Sequence, residues 1–119
     1  MKIKSRQEKV GSMLEDIYEK LNELAKTGLK SDSTTKNDIW KAYVKLEYAI
    51  LLAKLESEFD EPRKFEQNRF ERASSSEILA LAIDCLENGK EKIKSGKISN
   101  AIQDLRKARD AIKLLILKH

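Results

Sequence analysis

The side chains that most often carry out chemistry in proteins are scarce in this chain. It contains one histidine, His119, and one cysteine, Cys85. Cys85 lies in the apolar run 78–86, where a buried thiol is typical. No Glu-x-x-His pair, Cys-x-x-Cys motif, glycine-rich phosphate loop or Gly-x-Ser-x-Gly elbow is present. We therefore predict that the protein is not an enzyme and that it uses neither a metal nor a cofactor.

Two carboxylates interrupt apolar patterns and are the remaining candidates for acid–base chemistry. Glu47 lies beside the apolar positions of a predicted helix, and Asp84 falls within the run 78–86. A buried carboxylate with a strongly raised pKa, facing a pocket, would be required for catalysis. We favour the alternative that both side chains are solvated or lie at the rim of the core.

Basic residues are concentrated in the last quarter of the chain, where nine Lys and Arg stand against three Asp and Glu in residues 90–119. Residues one helical turn apart on two successive helices would form a basic strip able to contact phosphates. No aromatic side chain interleaves with them for base stacking, and a solvated face that complements the helix dipole is the interpretation we favour. The candidate nucleic-acid contacts are Lys90, Lys94, Lys97, Arg106, Arg109 and Lys113.

The composition favours helices. In 119 residues, 40% are hydrophobic and 37% are charged, whereas four glycines and one proline are too few for the turns of a small β-protein. We predict one domain over residues 1–119. Abundant Lys, Glu and Arg with little Gln are typical of proteins from hot environments and favour a thermophilic archaeal source. Apolar runs too short to cross a bilayer, and an N-terminus unlike a signal peptide, predict a cytoplasmic protein with no membrane association.

The spacing of apolar residues predicts an all-α antiparallel bundle of about four helices. Alternating steps of four and three residues, as in Val10, Leu14, Ile17 and Leu21, place one apolar stripe along each helix. Glycines and Ser/Thr capping patterns punctuate these stripes. The predicted helices span roughly 5–26, 35–58, 61–94 with a kink or fresh start near 74–76, and 99–117.

The second predicted helix carries two apolar stripes instead of one. The first comprises Ile39, Tyr43, Leu46, Ile50 and Ala53, and the second comprises Trp40, Val44, Leu51 and Leu55. Two stripes require two sets of neighbours. We favour burial of both within the bundle; the alternative is that one stripe meets another subunit. The candidate protein contacts are Tyr48, Leu52, Phe65, Phe70, Leu114 and Leu117.

Residues 86–113 resemble a known type of helical hairpin. The run from Leu86 to Ile102, with its Ser95-Gly96-Lys97 turn, is followed by small and apolar residues at Leu105, Ala108 and Ala111. This pattern is similar to the hairpins of small archaeal HEPN-like and PaREP1-like proteins, and to tetratricopeptide hairpins. The resemblance implies a tight helical hairpin. It does not imply nuclease activity, because Arg109 is not followed within a few residues by the histidine of the HEPN signature.

These observations predict a non-enzymatic accessory or adaptor protein that binds another macromolecule. A protein partner or self-association is the first expectation, and no small-molecule substrate is evident. The alternative is a nucleic-acid-associated subunit of an archaeal replication, repair or CRISPR-type complex that uses the basic C-terminal hairpin. The net charge of +4 permits an acidic partner without requiring one.

Overall fold

A computed structural model describes residues 6–28, 33–57 and 73–118 of the chain. Those residues form four helices and no strand: α1 (Arg6–Thr27), α2 (Ser33–Ser57), α3 (Ser75–Lys94) and α4 (Ile98–Lys118). The predicted all-α fold is therefore confirmed, and the ends of α1, α2 and α4 fall within about two residues of those expected. Among the described helices, none combines the length and the apolar character needed to cross a membrane.

The side chain of Ser74 caps the start of α3. Its Oγ accepts a hydrogen bond from the backbone N–H of Glu77 at 3.2 Å and donates one to Glu77 Oε1 at 3.1 Å. The first of these bonds is the N-cap expected from three serines followed by a glutamate, and in the second Glu77 accepts from the Ser74 hydroxyl instead of from a backbone N–H. The fresh start predicted near Ser75 is thus confirmed, whereas the predicted helical stretch 61–72 lies outside the described residues.

A glycine ends α3 and sets the short turn to α4. Gly96 has φ 79°, a conformation that favours glycine. Its N–H donates to the carbonyl of Ile93 at 3.1 Å, and the N–H of Lys97 donates to the carbonyl of Lys92 at 2.8 Å. These two bonds satisfy the last carbonyls of α3 in a Schellman motif. As a result, Lys97 lies in the turn. The prediction that Lys97 continues the basic face of α3 is therefore wrong, because α3 ends at Lys94.

Ion pairs define the direction of α2 relative to α1. Lys20 Nζ in α1 lies 3.7 Å from Asp38 Oδ1 early in α2. Asp16 Oδ2, one turn earlier in α1, lies 3.2 Å from Lys45 Nζ, further along α2. The later residue of α2 pairs with the earlier residue of α1, so α1 and α2 are antiparallel.

The same argument shows that α3 runs antiparallel to α1. Gln7 Nε2 at the start of α1 donates to the carbonyl of Ile93 at 2.7 Å, near the end of α3. Glu15 Oε2, two turns further on, lies 2.7 Å from Lys90 Nζ. At the opposite end of the bundle, Lys118 Nζ in α4 donates to the carbonyl of Ala73 at 2.6 Å, just before α3.

The four helices form a ring in which α1 packs on α2 and α3, and α4 packs on the same two helices. α1 therefore lies diagonally across from α4, and α2 lies diagonally across from α3. Every neighbouring pair in the ring is antiparallel, as predicted. Because α2 and α3 both run in the direction opposite to α1, α2 ends and α3 begins at opposite ends of the bundle.

The core is made of the stripes that the sequence predicted, together with one close helix approach. A Cβ added to Gly89 of α3 would lie 2.6 Å from Leu105 Cδ2 of α4, so only glycine permits this contact as it stands. Gly89 therefore allows α3 and α4 to pack closely at this point. The largest fully buried side chains are Leu14, Ile17, Leu21, Ile39, Leu46, Ile78, Leu86, Ile93, Ile102, Leu105, Ile112 and Leu115.

Candidate protein-binding face

α2 is apolar on two opposite sides. Its inner side packs into the core through Ile39, Leu46 and Ala53, each at most 3% exposed. Its outer side carries large apolar side chains that are between 50% and 59% exposed. We call these side chains the outer stripe of α2; they are Trp40, Val44, Tyr48, Leu51 and Leu55.

Helical geometry shows that the outer stripe is a continuous surface. At about 100° per residue, its five members fall within an arc of about 80°, centred about 180° from the inner side of the helix. With a rise of about 1.5 Å per residue, the stripe is about 22 Å long. It is therefore a ridge that points directly away from the core.

The position of α2 in the ring explains why the outer stripe has no cover within the described residues. α2 contacts α1 and α4, and both of these helices lie on its inner side. Within the described residues, the expectation that both stripes would be buried is therefore not met. The sequence pattern was read correctly as two stripes, but a helix in a ring of four has no third neighbour for its outer side.

Ion pairs with the neighbouring helices border the outer stripe on each side. On the side of α1, Lys45 pairs with Asp16 at 3.2 Å. On the side of α4, Glu47 Oε1 lies 3.0 Å from Arg109 Nη1. At one end of the stripe, the ring of Trp40 meets that of Tyr43 edge to face with centroids 5.7 Å apart. These contacts hold the ridge in place without covering it.

The other predicted protein contacts lie in different environments. Leu52 is partly buried and packs against the core. Leu114 is only 8% exposed and belongs to the core itself, whereas Leu117 is 71% exposed. Phe65 and Phe70 lie outside the described residues. Of the predicted contacts, Tyr48 alone belongs to the outer stripe. For Trp40, Val44, Leu51 and Leu55, contact with another subunit was the alternative to burial within the bundle.

Lys90, the first candidate nucleic-acid contact, is engaged inside the bundle. Its Nζ lies 2.7 Å from Glu15 Oε2, and its side chain is 11% exposed. The same nitrogen lies 4.0 Å from the centroid of the Tyr18 ring. Both partners belong to α1. Lys90 thus fills the groove between α3 and α1, where it is poorly placed to contact a phosphate.

Arg109 is also engaged, on the opposite side of the α3–α4 hairpin. It pairs with Glu47 of α2 and, through Nη2 at 3.2 Å, with Asp110. Burial alone would lower the pKa of Arg109, but the carboxylates of Asp110 and Glu47 raise it above its usual value. The guanidinium is therefore charged and already neutralised by two acidic neighbours.

The remaining basic candidates do not complete a strip. Lys94, Lys97 and Lys113 are exposed, while Arg106 is partly buried. With Lys90 turned towards α1 and Arg109 turned towards α2, the structure does not bring the six residues together on one surface. Lys90 and Arg109 lie in two different grooves, and Lys97 lies in the turn between α3 and α4.

The candidates for acid–base or nucleophilic chemistry occupy ordinary positions. Glu47 is paired with Arg109, and Asp84 is exposed. Burial raises the pKa of the Cys85 thiol, and the nearby carboxylate of Asp104 raises it further. In the part of the chain that the structure describes, no three His, Cys, Asp or Glu side chains are grouped so that they could hold a metal ion.

A scan against family models, curated proteins and solved structures finds no match to the chain. The resemblance of residues 86–113 to archaeal helical hairpins therefore stays a prediction. The outer stripe of α2 is the feature on which a functional argument can be built.

Proposed function

We propose that the protein is a non-enzymatic adaptor that binds another protein chain through the outer stripe of α2. One observation carries this proposal: five large apolar side chains, each at least half exposed, form a single ridge on a helix whose opposite side is fully packed. Scattered exposed apolar residues are common, but a contiguous row of them is typical of an interaction surface.

The size and composition of the ridge fit a protein partner. Five half-exposed side chains present on the order of 500 Å² of apolar surface, which is at the upper end of what monomers expose. Trp40 and Tyr48 are of the residue types that contribute most to protein interfaces. A straight ridge about 22 Å long also matches the packing of one helix along another.

The ion pairs of the basic residues make nucleic acid the less favoured partner. A strip for phosphates needs cations that are free to exchange counterions for the backbone. Lys90 and Arg109 already have acidic partners within the chain, at 2.7 Å from Glu15 and 3.0 Å from Glu47. Binding would have to break those pairs or rely on the other four candidates, Lys94, Lys97, Arg106 and Lys113.

The proposal is tested by affinity capture with three matched baits in extract of the source cells. The baits are the wild type, Val44→Lys/Leu51→Lys in the outer stripe, and Ala80→Lys, which changes an exposed residue of α3. We expect mass spectrometry to find chains that are retained by the wild type and Ala80→Lys but lost with the double variant. A second copy of this chain would count among them. Circular dichroism verifies that all three baits are folded. Identical capture by the three baits would show that the stripe is not a binding surface.

A further inference from the structure

We infer that the chain bound on the outer stripe of α2 is a second copy of this protein, packed antiparallel about a two-fold axis next to Tyr48. The inference rests on the proposed function for the existence of the binding surface, and it adds the identity of the partner. Three properties of the stripe support it: its register, its area and the positions of the charges beside it.

The register of the stripe is self-complementary. Its members are spaced almost symmetrically about a point between Glu47 and Tyr48. An antiparallel copy centred there places Trp40 opposite Leu55 of the second copy and Val44 opposite Leu51 of the second copy. Each large side chain then faces an aliphatic one, and the two Tyr48 rings meet at the axis. Such an isologous contact uses the same surface on both chains and closes as a dimer.

The area of the stripe reaches the lower limit for a specific dimer. Two copies together bury on the order of 1,000 Å² of apolar surface, which is the size of a weak, reversible interface. The aliphatic stems of Lys41 and Lys54 border the stripe and add to this area. Association with a second copy thereby removes from water the largest exposed side chains of the helix, including Trp40 and Tyr48.

No lysine beside the stripe lies level with a lysine on the same side of the second copy. Lys36 and Lys54 of the second copy, both on the α4 side, are offset by about five residues or about 7.5 Å along the helix, as are the two copies of Lys45 on the α1 side. Helical geometry places Lys41 on the α1 side of the stripe and Lys36 and Lys54 on the α4 side. The axis brings each side against the same side of the second copy. Lys54 then lies within one residue, or about 1.5 Å, of the level of Trp40 of the second copy, a position suited to a cation–π contact. Lys41 lies level with Lys54 of the second copy but on the other side of the ridge.

Sedimentation equilibrium of the wild type from roughly 1 μM to 300 μM measures the association directly. We expect a monomer–dimer equilibrium. Leu51→Lys should weaken it on the order of 100-fold, because the substitution places two charges in the interface. Ala80→Lys, at an exposed position of α3 outside the stripe, should leave it unchanged. If Leu51→Lys leaves the dimerisation constant unchanged, the inference is wrong. If Val44→Lys/Leu51→Lys also leaves the captured proteins unchanged, the proposed function is wrong as well.

A wild type that stays monomeric at every concentration would overturn the inference alone. The stripe would then bind a different protein, one with acidic residues that pair with Lys36, Lys41 and Lys54. The other possible occupant is the segment 58–72 of the same chain. Capture lost with Val44→Lys/Leu51→Lys would still support the adaptor. The two failures are therefore distinguishable.

Disulfide cross-linking tests the antiparallel register in a Cys85→Ala background. Tyr48→Cys should form a disulfide-linked dimer on oxidation, because the axis passes beside that position. Val44→Cys alone should not, whereas a mixture of Val44→Cys and Leu51→Cys chains should form a mixed dimer. Efficient cross-linking of Val44→Cys with itself would indicate parallel helices and contradict the inferred packing.

Discussion

The ammonium group of Lys90 lies 4.0 Å from the centroid of the Tyr18 ring. The contact joins α3 to α1 and is reinforced by Glu15 at 2.7 Å from the same nitrogen. A cation placed over an aromatic face and paired with a carboxylate in a largely buried groove is worth more than an ion pair in open water. Lys90 is thus a structural link between two helices.

Replacing Lys90 with Ala should reduce stability. We expect the free energy of unfolding to fall by about 1 to 2 kcal/mol, because the substitution removes a cation–π contact, an ion pair and the packed stem together. Lys94→Ala, one turn further along α3 and exposed, is the matched control and should change stability by less than about 0.5 kcal/mol. Chemical denaturation measures both. Equal effects would show that Lys90 has no structural role.

Replacing Gly89 with Ala should also destabilise the bundle, against the usual preference of helices for alanine. The added methyl group would lie 2.6 Å from Leu105 Cδ2 and 3.2 Å from Leu105 Cγ, in a packed core. We expect a loss of about 1 to 2 kcal/mol. The control is Gly11→Ala in α1, where a Cβ meets nothing within 4 Å. That variant should gain about 0.5 to 1 kcal/mol.

A double-mutant cycle separates the steric cost at Gly89 from a general effect on α3. In the Gly89→Ala background, Leu105→Ala should cost less than it does in the wild type, because it removes the atoms that the new methyl group contacts. Thermal unfolding of the four proteins gives the coupling energy. Strictly additive effects would contradict the contact.

Cys85 should react slowly with thiol reagents in the folded protein. Burial, followed by the charge of Asp104, raises the pKa of its thiol, so less thiolate is present near neutral pH than for a free cysteine. We expect labelling by an aromatic disulfide at pH 8 to be at least about tenfold slower than labelling of glutathione. Denatured protein should react at the rate of a free thiol. Fast labelling of the folded state would contradict this burial.

The raised pKa of the Cys85 thiol also determines how its contribution to the free energy of unfolding changes with pH. Because the folded state holds the thiol proton more tightly, this contribution is complete below the pKa of the unfolded thiol and is lost as pH rises through the folded value. Relative to Cys85→Ala, the wild type should therefore lose stability more steeply on the alkaline side. Denaturant titrations of the two proteins across that range measure the difference.

Nucleic-acid binding should be weak and sensitive to salt. Fluorescence anisotropy with single- and double-stranded DNA and RNA should detect no binding near about 150 mM salt, where only multiple free cations retain affinity. Any binding at low salt should decrease in Lys94→Gln/Lys113→Gln more than in Lys9→Gln/Lys26→Gln, which removes the same charge from α1. Binding that persists at physiological salt and disappears in the first variant would restore nucleic acid as the partner.

The helices themselves could be predicted because each carries its own periodic stripe. Val10, Leu14, Ile17 and Leu21 were predicted as one apolar stripe and are all buried. The start of α3 was also readable, since Ser74 and Glu77 make a local motif. Both inferences depend on residues close in sequence, where spacing alone determines which side chains share a face.

The environment of each face could not be predicted, because it depends on which helices are neighbours. The outer stripe of α2 has the same spacing as the inner one, and only the ring order shows which side is packed. Lys90 and Arg109 were likewise predicted to lie on one basic strip. In the structure, Lys90 pairs with a residue of α1 and Arg109 pairs with a residue of α2. Leu114 was read as a surface residue although α4 packs on two helices and buries it.

The ring of antiparallel neighbours has a consequence for the electric field of the bundle. α1 and α4 point one way and α2 and α3 the other, so each end displays two helix N-termini beside two C-termini. The four macrodipoles then cancel almost completely, and neither end acquires the positive potential of aligned N-termini. Long-range attraction of a charged partner is therefore determined by charged side chains and not by the helix dipoles.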